Sequence, residues 1–190
     1  MNINDYDYVG PKGVEGKIIL TCFPGRNLKK HSFDSHLFFD QLKNFNQLNC
    51  STIVSLVEDE EFKKMHDKKL FVREIYKNNL NWFHLPIEDL QPPNHKFIEK
   101  WQTTKSLLKN DLIDGKNIAI HCMGGKGRSG TIAAILLIEF GDLIEIPSIV
   151  LPISKGESST SCLQNISYRW SVYVFQFLSD IWIFVRLVII

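Results

Sequence analysis

The stretch IAIHCMGGKGRSGTIAAILLIEF, residues 118–140, contains one cysteine and one arginine separated by five residues, three of which are glycine. The residues up to the cysteine form a short apolar run that is typical of a buried strand. Residues 130–140 are apolar on nearly all sides, which is typical of a buried helix. The intervening loop therefore leaves the carboxyl end of a strand and enters a helix, and this is where open α/β sheets bind ligands.

The composition of this loop indicates phosphate chemistry. Glycines at 124, 125 and 127 let successive backbone N–H groups point into one cavity, which binds an anion and also stabilises a thiolate at Cys122. The planar guanidinium of Arg128 is suited to holding two phosphoryl oxygens at once. The loop thus offers a nucleophile, an oxyanion cradle and a clamp for transfer of a phosphoryl group to sulfur. The alternative is a glycine-rich turn around an inert cysteine, and it gives the arginine no use.

The rest of the chain predicts an α/β fold. Segments rich in β-branched and aromatic residues predict strands at 17–23, 51–57, 81–87 and 117–122. Helical periodicity is found in the intervening and following segments, at 32–48, 58–79 (one or two helices), 94–110 and 130–140. This alternation predicts a central, mostly parallel sheet of four to five strands, flanked by helices on both faces.

Composition narrows the function further. With 190 residues, 44% of them hydrophobic, the chain can bury one substantial core. Its 22 basic and 21 acidic residues give a net charge of +1, which does not support a nucleic-acid partner. Four dispersed cysteines without zinc-type spacing, and a polar N-terminus unlike a secretory signal, favour a reducing cytoplasm.

A leaving alkoxide or phenoxide needs a proton from a different loop. Asp89, in the segment HLPIEDLQPP, follows the predicted strand at 81–87 and is the candidate general acid. Glu88 is its immediate competitor for this role. The remaining alternative is that either residue is an ordinary solvated carboxylate on the surface, with no role in the reaction.

These motifs resemble a known family. HCMGGKGRSG is similar to the His-Cys-x5-Arg-Ser/Thr signature of cysteine-based protein tyrosine phosphatases, and HLPIEDLQPP resembles the general-acid loop of their dual-specificity branch. LTCFPGR (20–26) and IVSLVEDEEF (53–62) resemble the kinase-associated phosphatase subgroup, also called cyclin-dependent kinase inhibitor 3-like. The resemblance covers residues 17 to about 144.

The resemblance implies a role for each matching residue. Cys122 attacks phosphorus and forms a cysteinyl-phosphate, while Arg128 binds the phosphate and stabilises the transition state. Asp89 protonates the leaving oxygen and then activates water, Ser129 hydrogen-bonds the sulfur, and His121 orders the loop. The phosphate is held by the backbone amides of the loop: Met123, Gly124, Gly125, Lys126, Gly127 and Arg128. The resemblance also implies that no metal and no organic cofactor is needed.

The implied function is hydrolysis of phosphotyrosine, with phosphoserine and phosphothreonine as further substrates, in phosphoprotein partners. Lys126 leaves a phosphoinositide or inositol-phosphate substrate open as an alternative, because a lysine at this place also occurs in phosphatases of those two substrate classes. The lipid phosphatases carry a second lysine directly after the cysteine, and here Met123 occupies that place. An inactive phosphate-binding pseudophosphatase is a further alternative. The intact set of Cys122, Arg128, Asp89 and Ser129 argues against it.

The family pattern ends near residue 144. We therefore expect a catalytic domain at 1–144 and an atypical apolar tail at 145–190, which has only six Asp, Glu, Lys or Arg residues. Three interpretations of this tail compete: translation out of frame, which we favour, a membrane anchor at 170–190, and a packed element. A membrane anchor would place the charged side chains of Asp180 and Arg186 in hydrocarbon, which is energetically costly.

Overall fold

The computed structural model describes residues 6–141. These residues form seven strands and five helices, which follow one another along the chain as β1 (Asp7–Val9), β2 (Ile18–Thr21), β3 (Arg26–Asn27), β4 (Ser32–Phe33), α1 (Ser35–Gln47), β5 (Cys50–Ser55), α2 (Asp59–Met65), α3 (Lys68–Lys77), β6 (Asn81–His84), α4 (His95–Ile113), β7 (Asn117–His121) and α5 (Gly127–Glu139).

Five strands form the central sheet in the order β1-β2-β7-β5-β6, and β3 and β4 form a separate two-stranded ribbon. The pairs β2–β7, β7–β5 and β5–β6 are parallel, whereas β1 is antiparallel to β2. The predicted α/β class and mostly parallel sheet are confirmed. Strand β1 was not predicted, since its three residues lie in a polar stretch without a periodic pattern.

Alternation along the strands divides the core into two layers. Ile19, Ile53 and Ala119 belong to a cluster with the buried side chains of α1, α2 and α3. Their neighbours Ile18, Val54, Ile118 and Ile120 are also fully buried, on the face that α4 and α5 cover. Because both faces are covered, the parallel strands are apolar along most of their length.

Local chemistry explains where the helices begin. The Asp34 side chain accepts a hydrogen bond from Leu37 N at 3.2 Å, so α1 starts later than the periodicity suggested. Phe33 consequently lies in β4 rather than in the helix. Asp67 caps α3 in the same way, which separates α2 from α3 within the segment predicted as one or two helices.

The predicted apolar face of α4 is wrong at one residue. Leu107 was expected on the buried side of the fourth helix, but it is 52% exposed, while Phe97, Trp101 and Leu108 are buried. Consecutive residues on a helix are about 100° apart, so a residue next to the apolar face can lie toward the core or toward solvent.

Two predictions lie outside the described residues: the domain boundary at 144 and the nature of the tail at 145–190. Within residues 6–141, no helix is both long and apolar enough to cross a membrane.

Candidate active site

The loop that follows β7 is curled around the sulfur of Cys122. The Cys122 side chain is buried, and its Sγ accepts a hydrogen bond from the backbone N–H of Gly125 at 3.1 Å. Ser129, in the first turn of α5, places Oγ 3.7 Å from the same sulfur. A backbone amide and a hydroxyl thus lie beside Sγ, where both can donate to a thiolate.

Gly125 makes the curl of the loop feasible. Its φ of +75° is disfavoured for residues with a side chain, and a Cβ there would lie 2.5 Å from Cys22 N and from Thr21 C. The loop therefore packs directly against the end of β2. Gly124, by contrast, would present a Cβ to open space.

Arg128 is the most heavily bonded side chain of the site. Its guanidinium is 3% exposed and forms a bidentate pair with Glu61: Nη1 lies 2.6 Å from Oε2 and Nη2 lies 2.7 Å from Oε1. Nη1 also donates to the carbonyl of Ile87 at 2.9 Å, and Nη2 lies 3.3 Å from Oδ1 of Asp89. Arg128 therefore joins three segments that are distant in the sequence.

Strand register explains this convergence. Ser55 pairs with His121 in β7 and with His84 in β6, so the three strands end at one edge of the sheet. The chain that leaves β5 enters α2, which contains Glu61, and the chain that leaves β6 contains Asp89. Both segments are consequently placed next to the loop that leaves β7.

Glu61 was not singled out in the sequence. It belongs to a capping box, in which its Oε2 accepts from the backbone N–H of Glu58 at 2.9 Å. Burial raises the pKa of Glu61, but hydrogen bonds from Arg128 and Glu58 lower it more, so the pKa lies below its usual range. The carboxylate is thus charged and held in place when it meets the guanidinium. A capping-box spacing in the acidic turn was the available signal, but it does not identify a partner 67 residues away.

The loop is braced from behind by Arg26, which the sequence analysis did not identify, and by His121, to which the resemblance gave a supporting role. Nη1 of Arg26 donates to the carbonyl of Met123 at 2.7 Å. His121 is fully buried, with Nε2 2.6 Å from the hydroxyl of Ser55. Nδ1 of His121 lies 3.4 Å from the carbonyl of Cys122, which can only accept, so Nδ1 carries the proton. Nε2 then accepts from the Ser55 hydroxyl, which itself accepts from Trp82 Nε1 at 2.7 Å.

Burial keeps His121 neutral. It lowers the pKa of His121 to about 3, well below the usual value, despite the opposing effect of the Cys122 carbonyl. The imidazole is therefore a fixed hydrogen-bonding group, in keeping with the supporting role implied by the resemblance.

The other cysteines differ from Cys122. Burial raises the pKa of Cys50 to about 12, and burial also raises the pKa of Cys22 above its usual value. Cys122, in contrast, has a sulfur that accepts from a backbone N–H of the glycine loop. The geometry therefore distinguishes Cys122 from the two other cysteines in the described part of the chain.

The predicted residues occupy one edge of the sheet. Cys122, Ser129, Arg128 and Asp89 are brought together through the contacts above, while Lys126 is exposed at the start of α5. Glu88, the competing acid, is exposed beside Asp89, and Asp89 is the one of the two that contacts Arg128. Within residues 6–141 no cluster of three His, Cys, Asp or Glu side chains is arranged to hold a metal ion.

The sequence of this chain is similar to the sequences of known phosphatases. Residues 33–169 match the family model of the Swiss Army Knife protein, DSP-PTPase phosphatase domain. The chain is 43% identical to protein tyrosine phosphatase type IVA 3 of Bos taurus and 38% identical to that of Homo sapiens, in each case over 58 residues. That match covers 30% of this chain and 32% of each relative, so the chain spans about a third of their length.

Solved structures share the fold. Kinase associated phosphatase with its catalytic cysteine replaced by serine gives a TM-score of 0.59 at 20% identity, covering 70% of this chain and 72% of that one. A putative protein tyrosine phosphatase from Leishmania major gives 0.53 at 17% identity, covering 73% and 81%. At these identities the likeness concerns the fold alone.

Proposed function

The chain belongs to the DSP-PTPase phosphatase family, and we propose that it hydrolyses phosphotyrosine in proteins, with phosphoserine and phosphothreonine as further substrates. The observation that carries this proposal is the convergence on Arg128. A buried guanidinium is held between Glu61, Ile87 and Asp89 at the mouth of a loop that surrounds the Cys122 sulfur. A structural turn would need neither the nucleophile nor the acid.

In the first proposed step, the Cys122 thiolate attacks phosphorus. An S–P bond forms while the P–O bond to the leaving group breaks, and the carboxyl proton of Asp89 passes to the leaving oxygen. The backbone N–H groups of residues 123–128 and the guanidinium of Arg128 stabilise charge on the equatorial oxygens. The Arg128–Glu61 pair supports this role, since it holds the guanidinium in one orientation before substrate arrives.

In the second proposed step, water attacks the cysteinyl-phosphate. The Asp89 carboxylate accepts a proton from water as the new O–P bond forms, and the S–P bond breaks to release inorganic phosphate. Ser129 Oγ, 3.7 Å from the sulfur, donates a hydrogen bond to the departing thiolate. The chain's own residues thus account for both steps.

A phosphoinositide or inositol-phosphate substrate is the second candidate. The exposed Lys126 favours it, because a lysine at the start of α5 adds positive charge where a multiply phosphorylated ligand would enter. Met123, in contrast, adds no charge at the position directly after the nucleophile. We therefore place the protein substrate first.

The test is turnover of p-nitrophenyl phosphate, a phosphotyrosine peptide and a soluble inositol bisphosphate by the full chain at pH 5 to 8. Cys122→Ser should abolish turnover of all three, and Asp89→Asn should reduce kcat about 10²- to 10⁴-fold, as expected for loss of a general acid. Cys22→Ser and Glu88→Gln are the matched controls and should stay within about threefold of the wild-type kcat/KM.

Each outcome has a distinct meaning. Highest kcat/KM on the peptide supports the protein substrate, and highest kcat/KM on the inositol phosphate replaces it with the second candidate. Folded protein that binds vanadate without turning over any substrate would show a pseudophosphatase. Equal loss in Asp89→Asn and Glu88→Gln would remove Asp89 as the acid.

A further inference from the structure

A groove of about 870 Å³ lies between α3 and β6, away from the phosphate-binding loop. It is lined by Val72, Tyr76 and Trp82, which we call its apolar floor, and by Lys68, Lys69, Arg73 and Lys77, which we call its basic rim. None of these residues belongs to the loop at 121–129 or to the segment 85–89. The groove is therefore a separate surface that the proposed reaction does not use.

The floor of the groove is accessible apolar surface. Tyr76 is 55% exposed, although it lies beside the fully buried Ile75 on the same helix. Trp82 is half-buried, and its indole N–H is already bonded to Ser55. His84 stacks on this ring and Lys68 Nζ lies 5.6 Å from its centroid, and the remaining exposed part of the ring is apolar area without an unsatisfied donor. Exposed tyrosine and tryptophan with a neighbouring arginine are the residue types that contribute most to protein interfaces.

The rim is basic, and neighbouring acids neutralise only part of it. Lys68 is already paired, since its Nζ lies 2.6 Å from Asp59 and 2.9 Å from Nδ1 of His84. Arg73 and Lys77 share one carboxylate, that of Glu74. Lys69 adds a further exposed charge. The residues that line the groove include no aspartate or glutamate, so the groove carries net positive charge.

Size and charge together indicate the occupant. A ten-residue helix such as α3 is about 15 Å long, which matches four to five residues of an extended chain. Nucleic acids and anionic membranes are bound by broader basic surfaces, whereas this chain has a net charge of only +1. A short acidic peptide with an apolar side chain for the floor matches both features.

We propose that the groove between α3 and β6 binds an acidic segment of a protein partner, whose carboxylates meet Lys69, Arg73 and Lys77 while an aromatic or aliphatic side chain packs on Tyr76 and Trp82. This proposal does not depend on catalysis. Binding is steered by charge and weakens as ionic strength rises.

The experiment is fluorescence anisotropy with the full chain and an unphosphorylated ten-residue peptide of Asp and Glu around a central Phe-Leu pair. Lys69→Glu/Arg73→Glu should raise Kd at least about tenfold, because two attractions become repulsions. Tyr76→Ala should raise it by a similar factor through loss of the apolar contact. The control is Lys43→Glu/Lys96→Glu, with the same charge change at exposed positions on α1 and α4, and it should leave Kd within about twofold.

Further measurements distinguish the groove from the phosphate-binding loop and an acidic peptide from other anionic ligands. Vanadate should not compete with the peptide, and turnover of p-nitrophenyl phosphate should be unchanged in Lys69→Glu/Arg73→Glu. Equal weakening by both charge-reversal pairs, competition by vanadate, or no binding to the full chain would overturn the proposal. Preferential binding of single-stranded oligouridylate or phosphatidylserine vesicles would also overturn it.

Discussion

At the scale of single residues, Glu61 has the largest consequence for the site. It forms two hydrogen bonds to a guanidinium that is 3% exposed, and a third within its own helix cap. An unpaired buried guanidinium is costly, so the pair fixes where Arg128 can lie. The position of Arg128 therefore depends on a residue that lies outside the loop between Cys122 and Arg128.

Glu61→Gln should reduce kcat/KM for p-nitrophenyl phosphate about 10- to 100-fold, because the amide cannot offer two acceptor oxygens and Arg128 loses its orientation. Glu60→Gln is the control, since Glu60 is exposed and pairs with Lys63 on the surface of the same helix. Steady-state kinetics at pH 6 would check both variants. Wild-type kcat/KM in Glu61→Gln would show that the pair does not position Arg128.

His121 should make stability depend on pH. Its pKa is lowered to about 3 in the folded protein but is about 6.5 when unfolded, so the unfolded state takes up the proton first as the pH falls. The free energy of unfolding should fall by on the order of 1 to 2 kcal/mol from this group between pH 7 and 5. Urea denaturation of wild type and His121→Gln at both pH values would measure it.

The His121→Gln variant should be less stable at pH 7 but should lose less stability on acidification than the wild type does. His84 and His66, whose pKa values burial also lowers, contribute equally to both proteins and cancel in this comparison. An unchanged pH dependence in the variant would mean that His121 titrates normally in the folded state.

At the scale of elements, the decisive feature is the connection from β7 to α5. The strand, the glycine loop and the buried helix were all predicted from local pattern. The structure shows why position 125 requires glycine, since Gly125 lies against the backbone at the end of β2. The conformation of the loop is thus determined partly by a neighbouring strand.

Gly125→Ala should lower the free energy of unfolding by at least about 1 kcal/mol and reduce kcat/KM at least about tenfold, because the added Cβ meets backbone atoms at a positive φ. Gly124→Ala is a matched control one residue away, where the Cβ meets nothing within 4 Å. Urea denaturation and kinetics on both variants would test this. Equal effects of the two substitutions would contradict the packing argument.

At the scale of the whole molecule, an aromatic core links the helical layer to the site. Phe71 of α3 is fully buried and lies 4.9 Å from Phe38, 5.1 Å from Phe23 and 5.3 Å from Phe62, between ring centroids. Phe23 also lies 5.3 Å from the ring of His121. Packing in this layer therefore reaches the residue next to Cys122, the proposed nucleophile.

Phe71→Ala should lower the free energy of unfolding by about 3 to 5 kcal/mol, through lost burial and the cavity that remains. Phe39→Ala, at a position 49% exposed on α1, should change it by less than about 1 kcal/mol. Urea denaturation would compare the two. A similar loss from both would show that Phe71 is not part of the core.

The sequence by itself determined the local features: the α/β alternation, the strand–loop–helix around Cys122, and Asp89 as a candidate acid. These depend on short-range periodicity and on residue chemistry, which a few neighbouring positions specify. Only the tertiary structure decided that Glu61 holds Arg128, that Trp82 and Ser55 support His121, and that Leu107 faces outward. These contacts depend on strand register and helix rotation, which result from packing of the whole core rather than from any one segment.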